Sequence, residues 1–121
     1  MLLKKILIIR FSSIGDIVLT SPVIRCLKKQ VKGVEIHYLT KKVFAGILEN
    51  NPYVDKVHVI ETAVAEVLDE LKNEKFDCIV DLHRNLRSVQ VKRMLKVRSF
   101  SFQKLNYEKW LLVNLKVTKN S

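Results

Sequence analysis

Lys4-Lys5-Ile6-Leu7-Ile8-Ile9-Arg10-Phe11-Ser12-Ser13-Ile14-Gly15-Asp16 is the stretch that decides the fold. Its unbroken aliphatic run, within Lys5 to Arg10, predicts a short strand buried on both faces, because a strand with one wet face would alternate. The small and polar residues from Phe11 to Asp16 suit a tight loop. A helix follows through Ile17, Val18, Val23, Ile24 and Leu27 toward Lys28-Lys29. Pro22 interrupts it in one of two ways: a first turn at 16–20 is kinked there, or Ser21 caps a helix whose first residue is Pro22. Gly33 ends the element.

Working outward, Val34 to Leu39 reads as a second strand and Lys41 to Glu49 as a short helix broken by Asn50-Asn51-Pro52. Lys56 to Ile60 alternates as a third strand. Thr62 to Lys75 carries Val64, Val67, Leu68 and Leu71 at helical spacing. Cys78 to Leu82 is a fourth strand, His83-Arg84-Asn85 a loop, and Arg87 to Lys96 a basic helix. Val97 to Phe102 is a candidate fifth strand, and Asn106 a candidate cap for a last helix through Leu115. Strands alternating with helices predict an α/β fold: a Rossmann-like parallel sheet with helices on both faces and right-handed crossovers.

Composition sets bounds on function. The chain has 121 residues, one domain's worth, and its 48% hydrophobic content fits a packed core rather than a disordered tail. Neither a membrane-spanning run nor a signal peptide is read near the start, so a cytoplasmic location is expected. Cys26 and Cys78 stand in unrelated contexts without metal-ligand spacing and read as reduced thiols. The net charge is +10. From Leu82 to Tyr107 there is no Asp or Glu, while Arg84, Arg87, Lys92, Arg93, Lys96, Arg98 and Lys104 fall there. Such a strip attracts polyanions: nucleic acid, anionic lipid or phosphorylated sugar.

In an open parallel sheet, ligands bind beyond the carboxyl ends of the strands, where Ser12 to Asp16 stands. Backbone amides of Ser13, Ile14 and Gly15 beside a helix start could hold an anion. Gly15 would serve either a positive φ or close approach of a substrate. One glycine and no lysine make neither a dinucleotide fingerprint nor a phosphate loop. Asp16 has two readings from spacing alone. One is an aspartate favoured by the helix dipole or by capping. The other is a general base at a cleft mouth, which the dipole would weaken unless partial burial compensates.

Lys4 to Lys29 closely resembles the opening of glycosyltransferase family 9, the ADP-heptose:lipopolysaccharide heptosyltransferases, through Arg10, Ser12-Ser13, Gly15-Asp16 and Thr20-Ser21-Pro22. A second match, Phe76-Asp77 with Asp81-Leu82-His83-Arg84-Asn85-Leu86-Arg87-Ser88, looks like the family's DLHxNLRS segment. Lys104 to Trp110 fits more loosely. The resemblance implies a GT-B type glycosyltransferase of two Rossmann-like domains facing a cleft, of which this chain is the N-terminal, acceptor-side half. It implies inverting transfer of heptose from ADP-heptose to the acidic inner core of lipopolysaccharide, with Asp16 deprotonating the acceptor hydroxyl. Ser12, Ser13 and Gly15 would line the substrate loop, and His83, Arg84, Asn85 and Arg87 would contact the acceptor. Lys92, Arg93 and Lys96 are expected on a solvated helix face. No cofactor and no metal are called for. The expected partners are a nucleotide-sugar donor, held by a second domain, and an acidic lipid-linked acceptor, with peripheral contact at the inner membrane.

The chain stops near where the donor domain would begin, so a truncated, inactive piece is expected, since transfer needs both reactants held together. Tyr107, Trp110, Leu111, Leu112, Val113 and Leu115 spread around the last helix and call for cover by a domain or partner. Two rivals remain. A nucleic-acid-binding module rests on the basic strip alone, without aromatic interleaving or a recognised motif. A receiver-like or flavodoxin-like domain fits the size, but Arg10-Phe11-Ser12 stands where a receiver gathers acidic residues.

Overall fold

The computed structural model describes residues 4–101. Five strands form one parallel sheet: β1 (Lys5–Ile9), β2 (Glu35–Lys41), β3 (Lys56–Ile60), β4 (Cys78–Asp81) and β5 (Arg98–Ser101). Their order is β3-β2-β1-β4-β5, which places the expected fifth strand beside β4. The chain moves outward from β1 through β2 to β3, then returns across the sheet to β4, so the order reverses between β1 and β4. That reversal opens a crevice at the carboxyl ends of the two strands.

The helices are α1 (Ile14–Leu19), α2 (Ser21–Gln30), α3 (Ala45–Glu49), α4 (Leu68–Glu74) and α5 (Leu86–Leu95). Alternate residues of β1 feed two cores. Ile6 and Ile8 pack with Ile17, Ile24, Ile36, Tyr38 and Leu48 under α1 to α3. Leu7 and Ile9 pack with Leu39, Ile60, Leu71, Ile79 and Val91 under α4 and α5. An uninterrupted aliphatic run is thus required by cover on both faces. Each fully buried aliphatic side chain contributes roughly 1.5–3 kcal/mol relative to exposure.

Several boundaries differ from the sequence reading for physical reasons. The first helix is divided at Thr20, whose Oγ1 donates to the Ile17 carbonyl at 2.6 Å and shares a bond with the Tyr38 hydroxyl at 2.9 Å. Thr20 rather than Ser21 occupies the position before α2, without a side-chain cap bond, and Pro22 falls in the first turn. That helix ends at Gln30, and Gly33 makes the following turn with φ of 75°. Lys41 completes β2, leaving a 3-10 turn (Lys42–Phe44) before α3.

The expected helix from Thr62 begins as a separate 3-10 turn, Val64–Glu66. The Glu66 carboxylate gathers the backbone N–H groups of Glu61, Thr62 and Ala63, which winds the chain tightly before α4 starts. Lys96 ends α5 in the left-handed region with φ of 53°. Both cysteines are unbridged, Cys78 buried and Cys26 half-buried. Phe102 and the helix expected after Asn106, with the apolar residues that call for cover, lie outside the described residues.

Candidate active site

Two connections meet at the strand-order reversal. Arg10, directly after β1, donates from Nη2 to Asp16 Oδ2 at 2.8 Å and from Nη1 to the Leu82 carbonyl at 2.8 Å. One guanidinium therefore joins the loop after β1 to the loop after β4. Ser13 Oγ donates to the same Asp16 oxygen at 3.0 Å. The Arg10 and Asp16 side chains are 13% and 18% exposed, shielded enough to hold a fixed geometry yet open to a ligand. Asp16 lies in the first turn of α1, where the dipole favours a carboxylate, and Ser13 occupies the cap position without a side-chain cap bond.

Gly15 corrects part of the expectation. It lies within α1 and is not among the positive-φ glycines, so the turn does not require it. A Cβ there would meet no atom within 4 Å. Nothing in the chain itself therefore calls for a bare position there. Ser12 is half-buried beside it.

The β4 loop is organised by Asp81, which is fully buried. Its Oδ1 accepts from the backbone N–H groups of His83 at 3.0 Å and Arg84 at 2.8 Å. Lys92 Nζ approaches Oδ2 at 3.0 Å. Lys92 is thereby drawn inward, contrary to the expected solvated face, whereas Arg93 and Lys96 are exposed. Burial pushes the Asp81 carboxyl upward, but the Arg84 N–H, Ser88 and Lys92 together outweigh it and hold the group below the usual carboxylate range.

The turn so formed puts Arg84 in the left-handed region with φ of 56°. That conformation costs a non-glycine residue about 1 kcal/mol, offset by the two bonds to Asp81. The Arg84 side chain is exposed and that of Arg87 half-buried.

His83 faces the first loop. Its Nδ1 accepts the Phe11 N–H at 3.2 Å, and its ring meets Phe11 edge-on with centroids 5.4 Å apart. Burial, reinforced by the Arg10 guanidinium, lowers its affinity for a second proton. The neutral ring with Nδ1 accepting carries its proton on Nε2. Asn85 caps α5: its Oδ1 accepts from Ser88 N at 2.9 Å, while Ser88 Oγ accepts the Asn85 N–H at 3.0 Å. That turn chemistry accounts for the Asn85 oxygen.

The structure thus joins Ser13 and Arg10 at Asp16, places His83 against Phe11 in the same loop, and sets Arg84, Asn85 and Arg87 along the second loop. Arg10 and Asp81 belong to the two matched motifs, but local sequence does not show their organising roles, which depend on a contact 72 residues away and on bonds within a turn. Among the described residues this end of the sheet gathers no trio of metal-ligating side chains, and no helix is long and apolar enough to cross a membrane.

A five-stranded parallel sheet in this order, with a shielded carboxylate at the reversal, is the Rossmann-like N-terminal half of a GT-B type fold. The chain is similar, at 32% identity over 106 residues, to lipopolysaccharide heptosyltransferase 1 of Campylobacter coli, a match covering 83% of this chain and 31% of that protein. The fold is likewise similar to that of a glycosyl transferase family 9 protein from Veillonella parvula, with TM-score 0.73, 23% identity and coverage of 85% and 33%. It also resembles E. coli ADP-heptose lps heptosyltransferase II, with TM-score 0.71, 19% identity and coverage of 80% and 30%. No family model matches the chain. The chain spans about a third of the length of these relatives. It belongs with the N-terminal domains of glycosyltransferase family 9, the ADP-heptose:lipopolysaccharide heptosyltransferase family.

Proposed function

We propose that this chain is the acceptor-side domain of a heptosyltransferase, acting on the acidic inner core of lipopolysaccharide with Asp16 as general base. The observation that carries the reading is the Arg10–Asp16–Ser13 arrangement at the crevice between β1 and β4. A carboxylate whose orientation is fixed by a guanidinium and a hydroxyl is placed to take a proton from a hydroxyl arriving at the strand ends. In the proposed step the acceptor oxygen attacks the anomeric carbon of ADP-heptose from the face opposite the diphosphate. Its proton passes to Asp16, and ADP leaves with the bonding electrons, inverting the configuration. The donor is held by a second domain facing this one.

The exposed Arg84 and the adjacent Arg87 supply cationic groups for a phosphorylated, carboxylate-rich acceptor. His83 Nε2–H and the first-turn amides of α1 add neutral donors. A basic strip with this acceptor fits a protein working at the cytoplasmic face of the inner membrane without crossing it.

In a two-domain protein carrying this domain, Asp16→Ala is expected to lower heptose transfer by roughly 10²–10⁴-fold, with the circular dichroism spectrum unchanged. Unaltered turnover in a folded variant would remove Asp16 from the chemistry.

A further inference from the structure

Away from the crevice, on β2 and the edge strand β3, two histidines lie between the sheet and α4. His37 and His58 are each 1% exposed. They stand two residues before Leu39 and Ile60, and so point to the same face. Phe76 packs edge-on against both rings, at centroid distances of 5.1 and 6.1 Å. Nothing in the proposed transfer step uses this cluster.

We propose that His37, His58 and Glu74 form a binding site for a divalent transition-metal ion of the zinc class, oriented by Glu35 and Glu70. The three donor atoms lie within 4.8 Å of one another. His37 Nδ1 is 2.8 Å from His58 Nε2 and 4.0 Å from Glu74 Oε2. Zinc bonded tetrahedrally at its usual lengths needs donors about 3.3 Å apart, so the nitrogens must part and tilt slightly while the carboxylate closes in. The ligand set, two imidazoles and a carboxylate with a fourth position for water, is one that zinc accepts.

The outer partners carry the argument further. His37 Nε2 meets Glu35 Oε2 at 2.5 Å, and His58 Nδ1 is bonded to Glu70 Oε2. Carboxylates accept, so each imidazole directs its N–H outward to a glutamate. Histidines that ligate metal are held in this way, with the far nitrogen donating to a carboxylate and the near one presenting its lone pair. Here the two near nitrogens turn their lone pairs toward each other, an arrangement that calls for a cation.

Charge favours one as well. Glu35, Glu70 and Glu74 surround the pair, against the ammonium groups of Lys5 and Lys56, which both hold Glu74. Three carboxylates against two ammoniums leave one negative charge around neutral imidazoles. Because Glu74 stands on α4 and the histidines on β2 and β3, the ion would fasten that helix to the sheet.

The test is equilibrium dialysis of the chelator-treated 121-residue chain against zinc chloride, with cobalt(II) as a spectroscopic probe. We expect one zinc per chain and intense visible absorption from tetrahedral cobalt. Glu35→Gln and Glu70→Gln change half-exposed outer partners and leave the core intact; each should weaken binding roughly 10–100-fold. Glu74→Gln should weaken it further, whereas Cys26→Ser should leave it unchanged. Absence of stoichiometric zinc on the folded wild-type chain would overturn the proposal and leave a proton shared between the two rings as the cation. Binding indifferent to the glutamate changes would overturn it too.

Discussion

Asp16 and the His37–His58 pair belong to different parts of the same sheet, one at the β1–β4 reversal and the other on β2 and the edge strand β3, and are held in different ways. At the carboxyl end, Asp16 sits on a connection, fixed by Arg10 and Ser13, and Arg10 reaches across to Leu82. On β2 and β3, the histidines are strand residues inside the core layer, fixed by glutamates on β2 and α4. The first arrangement depends on two loops keeping their shapes at the strand-order reversal. The second depends on a helix lying flat on its strands. Polar groups on loops can meet a substrate, while those in the layer can meet only an ion or a proton.

This contrast can be broken most severely at Asp81. Asp81→Ala strips the β4 loop of its two backbone bonds and leaves Lys92 facing a buried gap. We expect a loss of about 3 kcal/mol in urea denaturation, as for one partner removed from a buried pair. Amide shifts should concentrate in 82–88 and the loop after β1, leaving resonances around His37 and His58 in place. A disturbance equally large at the histidine pair would show that the two regions are not independent.

Asn85→Ala offers a smaller change at the same end. Removing the cap of α5 is expected to cost about 1 kcal/mol, read as a lowered thermal midpoint. If acceptor affinity stays within experimental error at a temperature where the variant is folded, Asn85 acts only through the cap.

The third change probes the turn between β3 and α4. The Glu61 N–H, with those of Ala63 and Thr62, holds the Glu66 carboxyl at about 2, down from the ordinary 4.5. The unfolded chain therefore takes up a proton at a higher pH than the folded one. The resulting stabilisation is complete above the ordinary carboxylate range and is lost as pH falls from there toward 2. Glu66→Gln should flatten that part of the pH–stability profile of the turn leading into α4. An unchanged profile would mean that the three N–H bonds do not persist in solution.

Much of the fold was legible because burial on both faces writes itself as an unbroken aliphatic run, as in Ile6 to Ile9. The helix after β1 was harder. Its division at Thr20 depends on the Tyr38 hydroxyl, a partner on another strand. Likewise Glu66, a helix former by propensity, collects backbone donors and makes a turn instead.

Of the candidate site, the loop carrying Asp16 could be placed from its position after a strand, and the resemblance supplied its proposed role. Arg10 as the link between loops could not, since nothing local tells a strand-end arginine which carbonyl lies 72 residues away. Lys92 read as one more charge on a basic helix until the buried Asp81 claimed it. The histidine cluster escaped notice because its members are spread over three elements with no ligand spacing along the chain.

The most direct measurement is an amide-resolved titration of the 121-residue chain, first with a phosphorylated acidic core-sugar acceptor and then with ADP-heptose. The account expects the acceptor to shift resonances at 12–16 and 82–87, and ADP-heptose to leave them unmoved at the same concentrations. Micromolar ADP-heptose binding at those residues, with no response to the acceptor, would contradict it.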